Sequence, residues 1–478
     1  MNEDIGKKAL DHAQRLGARY ADIRMGEVET KTITVRDGNV ITAQTVKTSG
    51  FGVRALVKGA WGFAGSIDLN DLDKVVEKAV KIAHASGRIR KHPVTLAEVE
   101  PVVDSYRTPL KQDPFTVDNG LIIDVLLQAE GEAKNQSEHI RTSTATYRAY
   151  RDNKLLMTSE GAKIDQEVKW CGGVLEATAV RSGESQVRRY PDRRGWYCTT
   201  GYEHFETLDL PGHAEMVGKE AAALLDAEKL PEKRTDAVIR HDQMVIQLHE
   251  SCGHPLELDR TLGTEADLAG TSFLTVDKLG TDYRYGSELV NLVADPTEPK
   301  GLGTFGYDDD GVKARKSYLV KDGILVDYLS SRETASEIGL KSTGCARAVY
   351  PYDFPLVRMT NVNLEPGDWK WQEIVEDTKE GVLLQYNKSH SIDDRRLNFQ
   401  FGVETAYQIK DGSVGDLYKN VVYTGITPEF WGGCNAISHD DWRMDGTTGC
   451  GKGIPGQGTY VGHGVGTVRF KNVRMWSA

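Results

Sequence analysis

The first ninety residues combine two hydrophobic periods. Apolar positions spaced three or four apart over residues 4–16 predict an amphipathic helix, which Gly17 terminates. Hairpin turns are expected at residues 37–39 and 58–59, and Asn70 is expected to cap a second helix with one apolar face. Between the helices, alternating apolar and polar positions predict strands at residues 22–27, 30–36, 40–46, 52–57 and 60–64. Strands gathered between helices are typical of an α+β region.

Longer strands are predicted in the middle of the chain. Residues 86–116 hold four of the fifteen prolines and predict a connecting segment. Helices are predicted at 117–134 and 212–225. Strands are predicted at 140–151, 154–160 and 163–180, and a turn at 152–153 is expected to join the first two. We therefore predict an α+β fold with an N-terminal mixed domain, a middle region of long antiparallel strands and a strand-rich C-terminal domain, at residues 1–90, 91–235 and 236–478.

Composition narrows the class of protein. The chain has 478 residues and a formal net charge of −11 at pH 7, which argues against nucleic acid or an anionic membrane as the main partner. The six cysteines show no CxxC and no disulfide spacing, and no apolar run is long enough to span a membrane. We expect a cytoplasmic protein whose reduced thiols can bind metal.

One segment departs from this acidic character. Residues 181–197 interleave basic and aromatic side chains, namely Arg188, Arg189, Tyr190, Arg193, Arg194 and Trp196. Such a segment can bind a phosphate backbone. A solvated loop or an interface patch is the simpler interpretation in a chain of net negative charge.

The sequence His-Glu-Ser-Cys-Gly-His occupies residues 249–254, in an apolar stretch that predicts a helix capped by Asp242. Two neutral imidazoles can hold a divalent metal, and Glu250 can act on a water bound beside them, as a metallopeptidase requires. Cys252 is expected to pack as a small apolar side chain rather than to bind metal. The C-terminal domain is therefore predicted to be metal-binding.

The spacing of the two histidines requires an irregular helix. They are five positions apart, so a regular helix separates them by about 140° around its axis. A π-bulge absorbs one extra residue, Gly253 loosens the backbone, and Pro255 lacks the amide that would bond back to the preceding turn. We therefore expect a distorted or terminated helix at residues 251–256, which turns His254 toward His249.

Two histidines leave a catalytic metal short of protein ligands, because such sites usually have three plus water. Cys450 lies in a glycine-bounded loop that can bring a thiolate close without a clash, and Lys452 can favour the ionised thiol. The acidic run at 308–310 precedes Gly311 and is more simply a turn. The candidates for the third ligand are Cys450, His439, His463, Asp259 and the acidic run.

Several blocks of the chain resemble the TldD/PmbA proteins, and the HExxxH motif identifies the chain as similar to the TldD-type metallopeptidases. The resemblance covers nearly the whole chain, in the family's order. Its blocks include Arg36-Asp37-Gly38, Gly52-Val53-Arg54, Trp61-Gly62-Phe63-Ala64, Gly303-Thr304-Phe305-Gly306-Tyr307-Asp308-Asp309-Asp310-Gly311, Arg332-Glu333-Thr334-Ala335, Thr343-Gly344-Cys345-Ala346-Arg347 and Arg358-Met359-Thr360-Asn361.

The resemblance implies a zinc site formed by His249, His254 and Cys450, with Glu250 as the general base. It also implies action on short or unfolded peptides inside a dimer, formed either by two copies or with a PmbA-type paralogue that lacks the motif. The sequence departs from the family pattern after the cysteine, where about two extra residues precede Gln457.

The combined prediction is a zinc peptidase in which Glu250 accepts a proton from the attacking water and returns it to the leaving amine. Acceptors for the N–H groups of the ligand imidazoles are expected, and Glu257 and Asp259 are candidates, although both residues are more simply interpreted as members of surface salt bridges. His463 and Lys452 are candidates for an oxyanion donor. The alternative is a peptide-binding or scaffold protein whose zinc is structural, closed by Cys252 or Asp259 as a fourth ligand. Metal-dependent chemistry on modified peptides is a third possibility.

Overall fold

Long antiparallel strands organise the N-terminal half of the molecule, and a computed structural model describes residues 3–478 of the chain. The helices of this half are α1 (Glu3–Arg15), α2 (Leu72–Ser86), α3 (Asn119–Lys134), α4 (Glu203–Leu208) and α5 (Leu210–Asp226). The strands are β1 (Tyr20–Arg36), β2 (Asn39–Val57), β3 (Ala60–Ser66), β4 (Val103–Arg107), β5 (Ile140–Thr158), β6 (Lys163–Arg181), β7 (Glu184–Tyr190) and β8 (Trp196–Cys198). They form one sheet in the order β3-β2-β1-β5-β6-β4, and β7 and β8 also pair with β6.

Two hydrophobic clusters lie along this sheet. At one end α1 and α2 pack against it, and Ile23 of β1 and Val53 of β2 are buried there. At the other end α3 and α5 cover it, and Ile33 of β1 and Leu175 of β6 are buried. β1 contributes to both clusters because it runs unbroken for 17 residues. The predicted apolar face of the second helix is confirmed, since α2 buries Leu72, Val75, Val76, Ala79, Val80 and Ala83.

Pairing on both sides of a strand overrides local turn signals. The turn predicted at 152–153 is wrong, because β5 continues through it and Asn153 pairs with Glu27 of β1 and Glu167 of β6. These ladders satisfy the backbone groups that a turn would leave free. For the same reason the strands predicted separately at 22–27 and 30–36 form one strand. The cap predicted for the second helix is also wrong. Asp71 holds the cap position of α2 and makes no side-chain capping hydrogen bond, while Asp68 caps the short 3-10 turn Leu69–Asp71 that precedes the helix.

The C-terminal half contains short helices and many strands, as predicted for the α+β class. Its helices are α6 (His241–Leu248), α7 (Leu258–Thr261), α8 (Ala266–Ala269), α9 (Arg332–Glu337), α10 (Trp371–Glu376) and α11 (Thr427–Gly432). Its strands are β9 (Glu228–Lys229), β10 (Lys233–Ile239), β11 (Leu292–Ala294), β12 (Ser317–Lys321), β13 (Ile324–Leu325), β14 (Ala346–Arg347), β15 (Leu356–Val357), β16 (Val362–Leu364), β17 (Glu380–Ile392), β18 (Asn398–Lys410), β19 (Ser413–Lys419), β20 (Val421–Ile426), β21 (Cys434–Ile437), β22 (Arg443–Lys452), β23 (Gln457–Val465) and β24 (Val468–Ser477).

The main C-terminal sheet closes on itself. Its order is β17-β10-β24-β20-β18-β19-β9, and β17 also pairs with β18. Helix α6 follows β10, and its buried residues Met244 and Leu248 join the core of this half. The prediction that Asp242 caps this helix is wrong, because Arg240 holds the cap position and the Asp242 carboxylate accepts from the Tyr386 amide. Within residues 3–478 no helix is both long and apolar enough to cross a membrane.

Candidate metal centre

The helix that carries the HExxxH motif changes its winding at the first histidine. α6 ends at Leu248, and His249–Gly253 form a π-helical turn in which the His254 amide donates to the His249 carbonyl. A short 3-10 turn, His254–Leu256, follows. The predicted distortion is therefore confirmed, and it brings the two imidazole rings to a centroid distance of 4.8 Å.

The close packing of this turn explains its glycine. A Cβ on Gly253 would stand 2.1 Å from the sulfur of Met359, so a larger residue displaces that side chain. Pro255 occupies the first turn of the 3-10 segment, where its missing amide is not needed. The small residue and the proline thus act together to let the chain turn sharply after His254.

Cys450 comes to the same place from the hairpin β22–β23. The register of that hairpin shifts between Thr447 and Cys450, and such a bulge re-aims the side chain that follows it. Three potential ligand atoms lie within 4.8 Å of one another, one each from His249, His254 and Cys450, and all three residues are buried. The Cys450 sulfur is 3.7 Å from Nε2 of His254. Two imidazoles and a thiolate are donors that suit zinc, so the residues fit such an ion.

The other candidates for a third ligand lie elsewhere. His439 is exposed, and the carboxylate of Asp259 accepts from Nζ of Lys452 at 2.7 Å. The acidic run at 308–310 is buried in ion pairs and turns, where Asp310 binds Arg54 at 2.8 Å. Among residues 3–478, the triad of two histidines and Cys450 is the cluster of potential ligands that the geometry assembles.

Each histidine of the triad is oriented through its Nδ1. His249 Nδ1 lies 2.9 Å from Nε2 of His463, whose own Nδ1 lies 2.9 Å from the Val362 carbonyl. A carbonyl only accepts, so His463 donates to it and accepts from His249. His254 Nδ1 donates to Glu257 at 3.0 Å. Both ligand histidines therefore direct the Nε2 lone pair toward the centre.

Two sequence-based assignments change here. His463 uses both ring nitrogens behind His249, so it is neither a metal ligand nor an oxyanion donor. Lys452 is also engaged, since Nζ donates to Asp259 and to the Val357 carbonyl. Of the two candidate acceptors for the ligand imidazoles, Glu257 takes that role at His254, and Asp259 instead accepts from Lys452.

Burial and nearby charge set the protonation of these groups. Burial lowers the pKa of His249 to about 4 and that of His463 to about 3, which keeps both rings neutral. Burial raises the pKa of the Cys450 thiol, but the charge of Arg358 and the contact with His254 outweigh it and bring the pKa below its usual value. Arg358, which also donates to the Cys450 carbonyl, thus takes the role predicted for Lys452.

Glu250 stands beside the triad and is paired with basic groups that the sequence did not indicate. Its Oε2 accepts from Nη1 of Arg396 at 2.7 Å, and its Oε1 lies 3.4 Å from Nε2 of His390. Burial acts to raise the pKa of Glu250, but His254, His249, Arg396 and His390 together lower it to about 2. The carboxylate is therefore ionised and can accept a proton. No local pattern marks residues 390 and 396, because a hairpin distant in sequence brings them here.

Cys252 faces away from the triad. Its sulfur lies 3.2 Å from the Tyr285 hydroxyl, and burial raises the pKa of its thiol to about 12. With Cys252 so engaged and Asp259 bound to Lys452, neither completes a closed coordination sphere. Among the described residues the cluster therefore has three potential ligands, which is the number of protein ligands typical of a catalytic zinc site.

This geometry defines a metallopeptidase-type centre, and comparison with known proteins identifies the family. Models of the PmbA/TldA metallopeptidase match the chain throughout, domain 1 at residues 21–83, the central domain at 112–227 and the C-terminal domain at 232–476. The chain therefore belongs to the PmbA/TldA metallopeptidase family, and the resemblance inferred from its sequence blocks is confirmed.

Individual relatives are similar over their full length. The metalloprotease MJ0996 of Methanocaldococcus jannaschii is 31% identical over 94% of this chain and 95% of its own. The zinc metalloprotease TldD homolog of Saccharolobus solfataricus is 23% identical over 98% of this chain and 99% of its own. The crystal structure of TldE from Thermococcus kodakarensis has the same fold, with a TM-score of 0.73, 16% identity and 99% of each chain covered.

Proposed function

We propose that this metallopeptidase is zinc-dependent and hydrolyses amide bonds of short or unfolded peptides. The observation that carries the proposal is the convergence of His249, His254 and Cys450 within 4.8 Å, beside the ionised carboxylate of Glu250. The zinc-metalloprotease name of the Saccharolobus solfataricus relative supports the choice of metal. When bound, zinc supplies Lewis acidity and lowers the pKa of a water molecule.

The residues of this chain have separate tasks in that reaction. Glu250 accepts a proton from the water that attacks the scissile carbonyl and returns it to the leaving amine. Arg396 and His390 contact opposite oxygens of the carboxylate and fix its orientation. His463 and Glu257 hold the two imidazoles so that Nε2 faces the centre.

The surroundings of the triad favour an extended substrate. His249, Glu250, His254 and Cys450 are each at most 7% exposed, so a folded protein surface does not fit against them. Residues 448 and 449, in the bulge of β22 next to Cys450, are more open than their neighbours. A peptide strand laid along this edge would be recognised through its backbone, with broad tolerance of sequence.

A second chain is part of the proposal. Strand β3 pairs only with residues 51–57 of β2, so residues 39–50 form an outer edge of the sheet. Val40, Ile41 and Val46 are exposed on that segment, and an apolar edge strand tends to pair with another chain. We propose a dimer with a second copy or with a PmbA-type paralogue. All six cysteines are free and buried, which is compatible with a cytoplasmic protein.

The test is cleavage of a mixed set of disordered peptides, read by mass spectrometry. Wild type is compared with Glu250→Gln at matched zinc content, and His439→Gln, an exposed histidine outside the centre, serves as the control. We expect the Glu250 variant to lose at least about a hundredfold in rate, since general acid–base catalysis contributes on the order of 10²–10⁴. Equal cleavage by wild type and variant would overturn Glu250 as the base.

A further inference from the structure

The arginine-rich segment at 181–197 is divided between two roles. Arg188 and Arg189 are bound in ion pairs, Arg188 Nε with Glu220 at 2.5 Å and Arg189 Nη1 with Glu404 at 2.6 Å. The Arg189 pair joins the long sheet to β18 of the C-terminal half, whereas Glu220 lies on α5, which packs on the same sheet. The next two arginines, 193 and 194, lie beyond β7 in the turn that leads to β8, where Arg193 is exposed.

The turn that carries Arg194 is fixed at both ends. Before it, the Arg189 amide donates to Glu404 at 2.8 Å, and after it, Trp196 Nε1 donates to the Met444 carbonyl at 2.9 Å. Within the turn the Gly195 amide donates to the Asp192 carbonyl at 3.0 Å. The half-buried Arg194 is therefore held in place by the fold rather than carried on a free loop.

Arg194 lies beside the strand that carries Cys450. Its Nη1 lies 3.7 Å from the position that a Cβ on Gly449 would occupy, and Gly449 directly precedes Cys450. The guanidinium is also close enough for its charge to act on the rings of His249 and His390.

Among the residues that the structure describes, none gives the Arg194 side chain a hydrogen bond or an ion pair. The nearby carboxylates all have other partners. Glu250 is bound to Arg396, Glu257 to His254, Asp259 to Lys452, Asp445 to Arg443, and Glu404 to Arg188 and Arg189. Burial raises the pKa of Asp192 well above its usual value, which favours the uncharged form of that side chain. A partly desolvated guanidinium without an anion is unfavourable until one arrives.

We propose that Arg194 binds a carboxylate of the peptide substrate, close to the bond that is cleaved. The guanidinium fork matches a carboxylate in a bidentate geometry, which a lysine ammonium does not reproduce. This inference rests on the proposed peptidase function and names its substrate class as peptides that place a carboxylate near the scissile bond. That carboxylate is either the free C-terminus or an aspartate or glutamate side chain.

The experiment uses zinc-loaded wild type and peptides in matched pairs. One pair differs only in a free or amidated C-terminus, and the other has glutamate or glutamine next to the cleaved bond. We expect kcat/KM for the carboxylate member of one pair to exceed that of its neutral partner by about ten- to a hundredfold. The pair that shows the preference identifies the source of the carboxylate.

Variants assign the preference to Arg194. Arg194→Gln is expected to bring the ratio within a pair close to one, and Arg194→Lys is expected to restore only part of it. Arg193→Gln, which removes the neighbouring exposed arginine, is expected to leave both the ratio and the cleavage of neutral peptides unchanged. Equal cleavage of both members of each pair by wild type, or an unchanged ratio in Arg194→Gln, would overturn the inference while the peptidase function stands. A wild type that cleaves none of the peptides would overturn both.

Discussion

The two histidines of the triad are supported by opposite kinds of environment. Behind His249 stand two neutral groups, His463 and the Val362 carbonyl, which are linked by hydrogen bonds of 2.9 Å. Behind His254 stands Glu257, a buried carboxylate that Lys452 approaches to 3.4 Å. A carboxylate makes the imidazole it binds a stronger donor to a metal than a neutral acceptor does. The comparison therefore assigns the tighter ligand to His254.

The buried ionic group behind His254, which consists of Glu257, Lys452 and Arg260, also has a structural consequence. Glu257 is fully buried, and the contacts with Lys452, His254 and Arg260 lower the pKa of its carboxyl well below the usual value despite burial. Removing one member of such a group leaves charges without compensation in the interior, which is more costly than losing a neutral hydrogen bond. The groups behind His254 should therefore contribute more than those behind His249, both to metal affinity and to the stability of the fold.

The largest effect is expected from Glu257→Gln. The substitution keeps the shape but removes the charge, so His254 becomes a weaker donor and Lys452 loses one of its two carboxylates. We expect zinc affinity to fall by about 10- to 100-fold and the free energy of unfolding of the metal-free protein to fall by about 3–5 kcal/mol. Chelator competition and denaturant unfolding measure the two quantities.

A matched control separates burial from charge. Glu365→Gln removes a carboxylate that pairs with Lys316 in a solvent-exposed position, and we expect less than about 1 kcal/mol from it. If both variants lose similar stability, the ionic group behind His254 has no special role.

A smaller effect is expected from His463→Phe. This change leaves the Nδ1 hydrogen of His249 without an acceptor, which costs about 1–3 kcal/mol for a buried donor. We expect zinc affinity to fall toward the lower end of the range for Glu257→Gln, about tenfold. His463→Gln, whose amide both accepts and donates, should recover part of the loss. A greater loss of zinc affinity in His463→Phe than in Glu257→Gln would reverse the comparison.

The two supports also differ in how far the sequence predicts them. Glu257 follows His254 by three positions, so its role can be expected from spacing once the helix distortion is predicted from Gly253 and Pro255. His463 lies 214 positions from His249, and β23 brings it there through pairing that no local pattern encodes. From the sequence alone, His463 is therefore only one of several candidates for the third metal ligand and for an oxyanion donor.

Elsewhere in the molecule, too, local sequence predicts some features, and others depend on contacts between distant parts of the chain. The buried face of α2 follows from a local period, and the triad with Glu250 follows from the motif together with the family resemblance. The unbroken course of β5 through residues 152–153 depends on its two neighbours in the sheet. Arg188 and Arg194 likewise belong to one basic run of the sequence. Only the tertiary structure gives Arg188 a partner carboxylate and leaves Arg194 beside the strand that carries Cys450.

The smallest effect on the metal is expected from Cys252→Ala. Cys252 lies inside the motif between the two histidines, yet it supports neither, because its sulfur faces the Tyr285 hydroxyl. Truncation removes a buried sulfur and leaves a small cavity, so we expect a loss of about 1–2 kcal/mol in the free energy of unfolding. Zinc affinity should stay within about twofold of wild type, because a ligand or its hydrogen-bond partner is worth at least tenfold. Chelator competition on the folded protein measures this, and a tenfold loss would place Cys252 in the coordination sphere and favour a structural zinc over a catalytic one.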